Sequence, residues 1–143
     1  MLPMEVLGRL NEASQLVIRE RQTPLFARHG LQHGEFDVMA TLRRSGERDG
    51  LTPTALFEAA MMSSGGMTAR IDRLEKAGLV ERRPHPGDRR ATLVRLTDKG
   101  FALIDAIMPS HQDTAREALS GLSVDEQKTL NGLLARLIAG LSG

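Results

Sequence analysis

The chain has 143 residues, 41% of them hydrophobic and 26% charged, which excludes wholesale disorder and suits one compact domain, or a small domain with helical extensions. It has no Cys, which excludes disulfides, a thiolate metal site and a thiol redox switch, and with four Phe and no Trp or Tyr its core must be built from Leu, Ile, Val, Ala and Met. The net charge of +1 is neutral on nucleic acid, while the lack of a signal-peptide pattern or of an apolar run near the ~20 residues that span a bilayer points to the cytoplasm and away from membranes.

The spacing of Val6, Leu7, Leu10, Ala13 and Val17 predicts a helix over residues 5–22. Pro24 kinks or ends it, and Leu25, Phe26 and Ala27 add a last turn before Gly30. A second helix fits residues 35–45, burying Phe36, Met39, Ala40 and Leu42. A polar loop with Gly at both ends covers 46–50. Thr52 followed by Pro53 is an N-cap and first-turn pair, starting a short helix to Ala60. Ser63 and Ser64 can cap a fourth helix that runs to Ala77 and stops at Gly78. Two β-favouring runs follow, 79–83 and 92–96, joined by a long loop in which Pro86 and Gly87 suit the centre of a type II turn. Thr97 opens a long helix carrying Phe101, Ile104, Ile107 and Met108, with Pro109 as a kink point and Leu119 near its end. Ser123 and Glu126 form a capping box for a last helix with Leu130, Leu133, Leu134, Leu137, Ile138 and Leu141 on a stripe.

This order predicts a mainly α fold with a small β-hairpin, a winged helix-turn-helix with long terminal helices. A DNA-binding lobe is expected at 33–98, and a helical dimerisation lobe at 1–32 plus 99–143 of a single domain. The outer helices are too long and apolar for so small a core, which points to a homodimer. Charge distribution supports a polyanion surface in the middle of the chain. Residues 70–95 hold eight basic and four acidic side chains, leaving 11 basic and 14 acidic elsewhere.

On the fourth helix Met67, Ile71 and Leu74 fall on one face and anchor it. The opposite face carries the candidate DNA contacts. Ser63, Ser64 and Gly65 offer small residues and free N–H groups at the helix N-terminus. Two glycines inside a helix cost about 1 kcal/mol each relative to Ala, so Gly65 and Gly66 either serve close approach to DNA or form a turn before a later start. Thr68 can meet a phosphate or a thymine methyl, Ala69 permits close approach, and Arg73 and Lys76 can reach phosphate or guanine. Asp72 is expected to pair with Lys76 or another basic neighbour, and Arg70 has a structural salt bridge and a DNA contact open to it. In the hairpin, Arg89 and Arg90 suit a minor groove, with Asp88 able to fix one guanidinium.

The stretch from Met67 to Gly100 closely resembles the MarR family of bacterial regulators. It has the pattern of Asp72, Arg73, Leu74 and Glu75 followed by Gly78, Leu79 and Val80, then Asp88 and Arg90 in the wing, then Val94, Leu96, Thr97 and Gly100. Gly30 and Leu31 before Glu35, Phe36, Asp37 and Val38, and the segment 122–126, resemble the starts of that family's second and last helices. The resemblance implies a homodimer with interlocked terminal helices, recognition helices in successive major grooves of a double-stranded, pseudo-palindromic operator, and wings in flanking minor grooves. It implies that Arg90 is the wing-tip contact, with Arg89 nearer phosphate. It also implies a repressor relieved by a small aromatic or anionic effector, for which Phe26, His29, Phe36 and Met39 are candidate pocket residues. Thiol sensing is excluded by the absence of Cys. Zinc sensing is disfavoured, because Gly30 interrupts the His29 and His33 spacing, and neither a metal nor another cofactor is expected. No nucleophile elbow, dinucleotide or P-loop pattern occurs, so no enzyme is expected. The alternative from another class is a winged-helix protein-interaction module without DNA readout.

Overall fold

The computed structural model describes residues 1–60 and 66–143. In chain order the elements are α1 (Leu2–Val17), a π-helical turn (Ile18–Gln22), α2 (Thr23–Arg28), α3 (His33–Ser45), α4 (Pro53–Ala60), α5 (Met67–Lys76), β1 (Val80–His85), β2 (Asp88–Leu96), α6 (Asp98–Ala118) and α7 (Val124–Ser142). The class is as expected: mainly helical with one antiparallel hairpin.

Pro24 neither ends nor breaks the first helical run. Proline lacks an N–H and its ring crowds the carbonyl four residues back. The chain absorbs both by widening into the π turn, where the Thr23 N–H reaches Ile18 O. α3 starts two residues earlier than expected, because Gln32 and Glu35 form a capping box: the Gln32 N–H donates to Glu35 Oε1 at 3.0 Å while the Gln32 side chain accepts from the Glu35 N–H. Thr52 caps α4 through its hydroxyl, which accepts from the Ala55 N–H at 3.1 Å. Ser123 and Glu126 close the expected box on α7.

The hairpin departs from expectation at its tip. The strands are longer, and the connection is the two residues Pro86 and Gly87 rather than a long loop. A type II turn needs a positive φ at its third residue, and Gly87 is not among the positive-φ glycines. Pro84 pairs with Thr92 and His85 with Asp88, so Arg89, Arg90 and Ala91 bulge from β2. At the other end Leu51 adds a short bridge to β2, exchanging 2.8 and 2.9 Å hydrogen bonds with Val94.

The core lies where α3, α5, α6 and the hairpin meet. Met39, Leu56, Ile71, Leu74, Val80, Val94, Ile104 and Ile107 are essentially inaccessible, and burying each such side chain contributes about 1.5–3 kcal/mol. By contrast neither α1 nor α7 buries a single residue. Leu7, Leu133, Ile138 and Leu141 lie open, 49–78% exposed. No helix among the described residues is long and apolar enough to cross a membrane.

Candidate nucleic-acid interface

α5 is seated by the three residues expected to anchor it: Met67, Ile71 and Leu74 are buried. Thr68, Ala69, Asp72, Arg73 and Lys76 are exposed. The helix begins at Met67, not at Ser64. Gly66 is its N-cap, with φ +86° and no side-chain cap bond, a conformation that other L-residues adopt only under strain. Gly66 is therefore the turn before a later start and not a mid-helix residue. Ser63, Ser64 and Gly65 lie outside the described residues.

The basic residues of the middle segment divide sharply. Arg82 on β1 binds Asp72 and Glu75 of α5, each at 2.7 Å, and its N–H donates to Glu75 Oε2 at 3.1 Å. Asp72 thus pairs with Arg82, across from the hairpin, and not with Lys76. Partial burial opposes the Arg82 charge, but its bonds to Asp72 and Glu75 outweigh this and hold its pKa above the ordinary value. Arg95 and Arg83 both bind Glu81, at 2.6 and 3.2 Å. The Arg95 bond is the main reason the Glu81 pKa falls below its ordinary value. Arg73 turns toward α3, its Nη2 donating to Gln32 Oε1 at 3.1 Å and its Nε lying 3.7 Å from Glu35 Oε2. Arg70 lies over Gly34, where a Cβ would collide with its guanidinium. Its Nη1 is buried with no hydrogen-bond partner among the described residues.

Lys76, Arg89 and Arg90 differ: all three are exposed, and among the described residues none makes an ion pair. Asp88 does not fix a guanidinium. Its Oδ1 accepts the Arg90 N–H at 2.9 Å, an Asx turn that shapes the bulge and leaves both arginine side chains without a hydrogen-bond partner among the described residues. His85 helps at the same tip, its Nδ1 accepting the Gly87 N–H at 2.9 Å.

Of the four residues expected to line a pocket, three come together in the core and one does not. Phe26, Phe36 and Met39 are core, with Phe26 and Phe36 stacked at 4.1 Å between ring centroids, and His29 is exposed. Sequence reasoning missed the polar group beside this stack. His111 of α6 lies 4.9 Å from Phe36 and 5.7 Å from Phe26. Its Nδ1 is buried without a partner among the described residues. His33 binds Gln22 at 2.9 Å and Asp37 at 3.4 Å. Burial raises the Asp37 pKa against the pull of His33, His111, Arg44 and Arg70, and burial also lowers that of His111. A cleft of about 220 Å³ opens here, lined by Phe36, Asp37, Thr41, Arg44, Met108 and His111 among others. No group of three or more His, Asp or Glu able to hold a metal is found among the described residues.

A helix pair followed by a hairpin whose tip presents two exposed arginines defines a winged helix-turn-helix of the DNA-binding kind. Residues 29–91 match the sequence family described as MarR family. The HTH-type transcriptional regulator PecS of Dickeya dadantii is 40% identical over 135 residues, covering 94% of this chain and 81% of PecS. The structure of a mutant MarR from E. coli complexed with operator DNA matches with a TM-score of 0.83 and 30% identity, over 94% of this chain and 95% of that one. BpsR of Bordetella bronchiseptica, whose DNA binding is regulated by 6-hydroxynicotinic acid, matches with a TM-score of 0.83 and 25% identity, over 92% and 91%. The chain belongs to the MarR family of transcriptional regulators, and its relatives there are regulators, not enzymes.

Proposed function

We propose that the chain is a homodimeric repressor that binds a pseudo-palindromic DNA operator and is released by a small aromatic or anionic effector. In this proposal 33–98 is the DNA-binding lobe, and 1–32 with 99–143 is the dimerisation lobe. α5 enters the major groove through Thr68, Ala69 and Lys76, with Ser63, Ser64 and Gly65 at its N-terminal side. Arg90 and Arg89 enter the minor groove and meet phosphate, on a bulge shaped by Asp88. The carrying observation is the division of charge: four of the segment's eight cations, Arg73, Arg82, Arg83 and Arg95, are paired with carboxylates of the fold, while Lys76, Arg89 and Arg90 are exposed and available to a polyanion. The bare apolar faces of α1 and α7 support the dimer. The Asp37, Arg44 and His111 cleft, set against the Phe26 and Phe36 stack, supports an effector that offers a ring and an anionic edge.

Selection of bound duplexes from a random library tests this. An enriched palindrome with half-sites about 10 bp apart is expected, with affinity that falls steeply with salt and drops in Arg90→Ala without loss of fold. Absence of an enriched sequence, or an Arg90→Ala protein that binds like wild type, would remove the proposed interface.

A further inference from the structure

α5 places two arginines one turn apart, Arg70 and Arg73, and both reach the first turn of α3, although Arg73 remains half exposed. Glu35 is buried, and Arg73 is its only ion-pair partner among the described residues. Gln32, the other acceptor, is the N-cap of α3 and ends the short connection from α2. One guanidinium thus spans both halves of the capping box that starts α3, using the planar fork that lysine lacks. Swinging it out to a phosphate would leave the buried Glu35 carboxylate without its one ion-pair partner among the described residues, which is unfavourable. The Arg70 side chain lies in the space left by the missing Cβ of Gly34, so α5 also contacts α3 there.

We infer that Arg73 acts on DNA binding as a positioning residue, through Gln32 and Glu35, by setting the seat of α5 on α3 and not by touching DNA. This rests on the regulator function proposed above. Salt dependence separates the two roles, since each phosphate contact adds about 0.9 to the slope of log affinity against log salt.

The test is fluorescence anisotropy with a labelled duplex carrying the selected palindrome, titrated over a range of KCl. Arg73→Ala is expected to bind about tenfold more weakly, the loss typical of a charged hydrogen bond, with the salt slope unchanged. Arg73→Lys, which keeps the charge but not the fork, should lose nearly as much. Glu35→Gln should weaken binding as well, and the Arg73→Ala/Glu35→Gln double variant should be no weaker than the worse single. Circular dichroism confirms that each variant is folded. If Glu35→Gln is not folded, Gln32→Ala takes its place and must show the same non-additivity. The inference is overturned if Arg73→Ala lowers the slope by about 0.9 per subunit while Arg73→Lys binds like wild type and removal of the Glu35 charge leaves binding equal or tighter. Wild-type protein that shows no salt-dependent binding would instead overturn the regulator proposal itself, and the inference with it.

Discussion

Replacing Arg82 by Ala should loosen the recognition helix from the wing. Arg82 makes two 2.7 Å charged hydrogen bonds, to Asp72 and Glu75, and its N–H donates to Glu75. Fully buried, each charged bond would contribute about 1.5–3 kcal/mol. Here the partners are 54% and 41% exposed, so water and salt screening reduce each to about 0.3–1 kcal/mol. The alkyl stem adds packing, since the Arg82 side chain is only 29% exposed. The expected loss is about 1–2 kcal/mol, a fall of about 3–6 °C in Tm for a chain of this size. Thermal denaturation followed by circular dichroism reads it out, at low salt and again at 1 M NaCl, where only the packing share should remain. A double-mutant cycle with Asp72→Asn should give a coupling of about 0.5 kcal/mol or more, because the two groups are in contact. An Arg82→Ala protein with an unchanged Tm at low salt, or no coupling to Asp72, would refute this reasoning.

Two further outcomes follow from other parts of the molecule. Leu133→Asp with Ile138→Asp should convert the proposed dimer to monomer or to aggregate in light scattering coupled to gel filtration, since each puts a charge on the bare face of α7; a dimer unaltered by both would place the interface elsewhere. His111 should titrate by NMR below the ordinary 6.5, chiefly because its ring is half-buried. Asp37→Asn should lower it further by removing a stabilising negative charge, and an upward shift would contradict the cluster. With a depressed folded pKa, the unfolded chain takes the proton first. The stability contributed by neutral His111 is therefore complete above pH 6.5 and is lost as pH falls from there through the folded value.

What could be read in advance was local. Thr52 with Pro53, and Ser123 with Glu126, announced their helices because a cap is satisfied within four residues of itself. Met67, Ile71 and Leu74 announced the buried face of α5 through spacing alone. The features that decide the candidate site are mostly long-range. Nothing near Arg82 in sequence reveals that it reaches back to Asp72 and Glu75, and the same holds for Arg73 with Gln32 and Glu35. The apparent single basic patch of the sequence is therefore a set of cations of which the fold pairs half. Gln32 and Glu35 did carry a usable signal, a capping box with Gln in place of Ser or Thr. The early start of α3 was legible there. The cleft was not, since His111 arrives from α6 to meet Phe26 and Phe36, and those two Phe, on separate helices, read equally well as core.

The central claim, that α5 and the wing tip grip DNA as a two-fold pair, is tested most directly by hydroxyl-radical footprinting on the selected palindrome. Two-fold protection is predicted, with half-sites about 10 bp apart and outer minor-groove segments whose protection disappears in Arg89→Ala/Arg90→Ala while the inner protection weakens. Protection that is unchanged in that variant, or a footprint without two-fold symmetry, would contradict it.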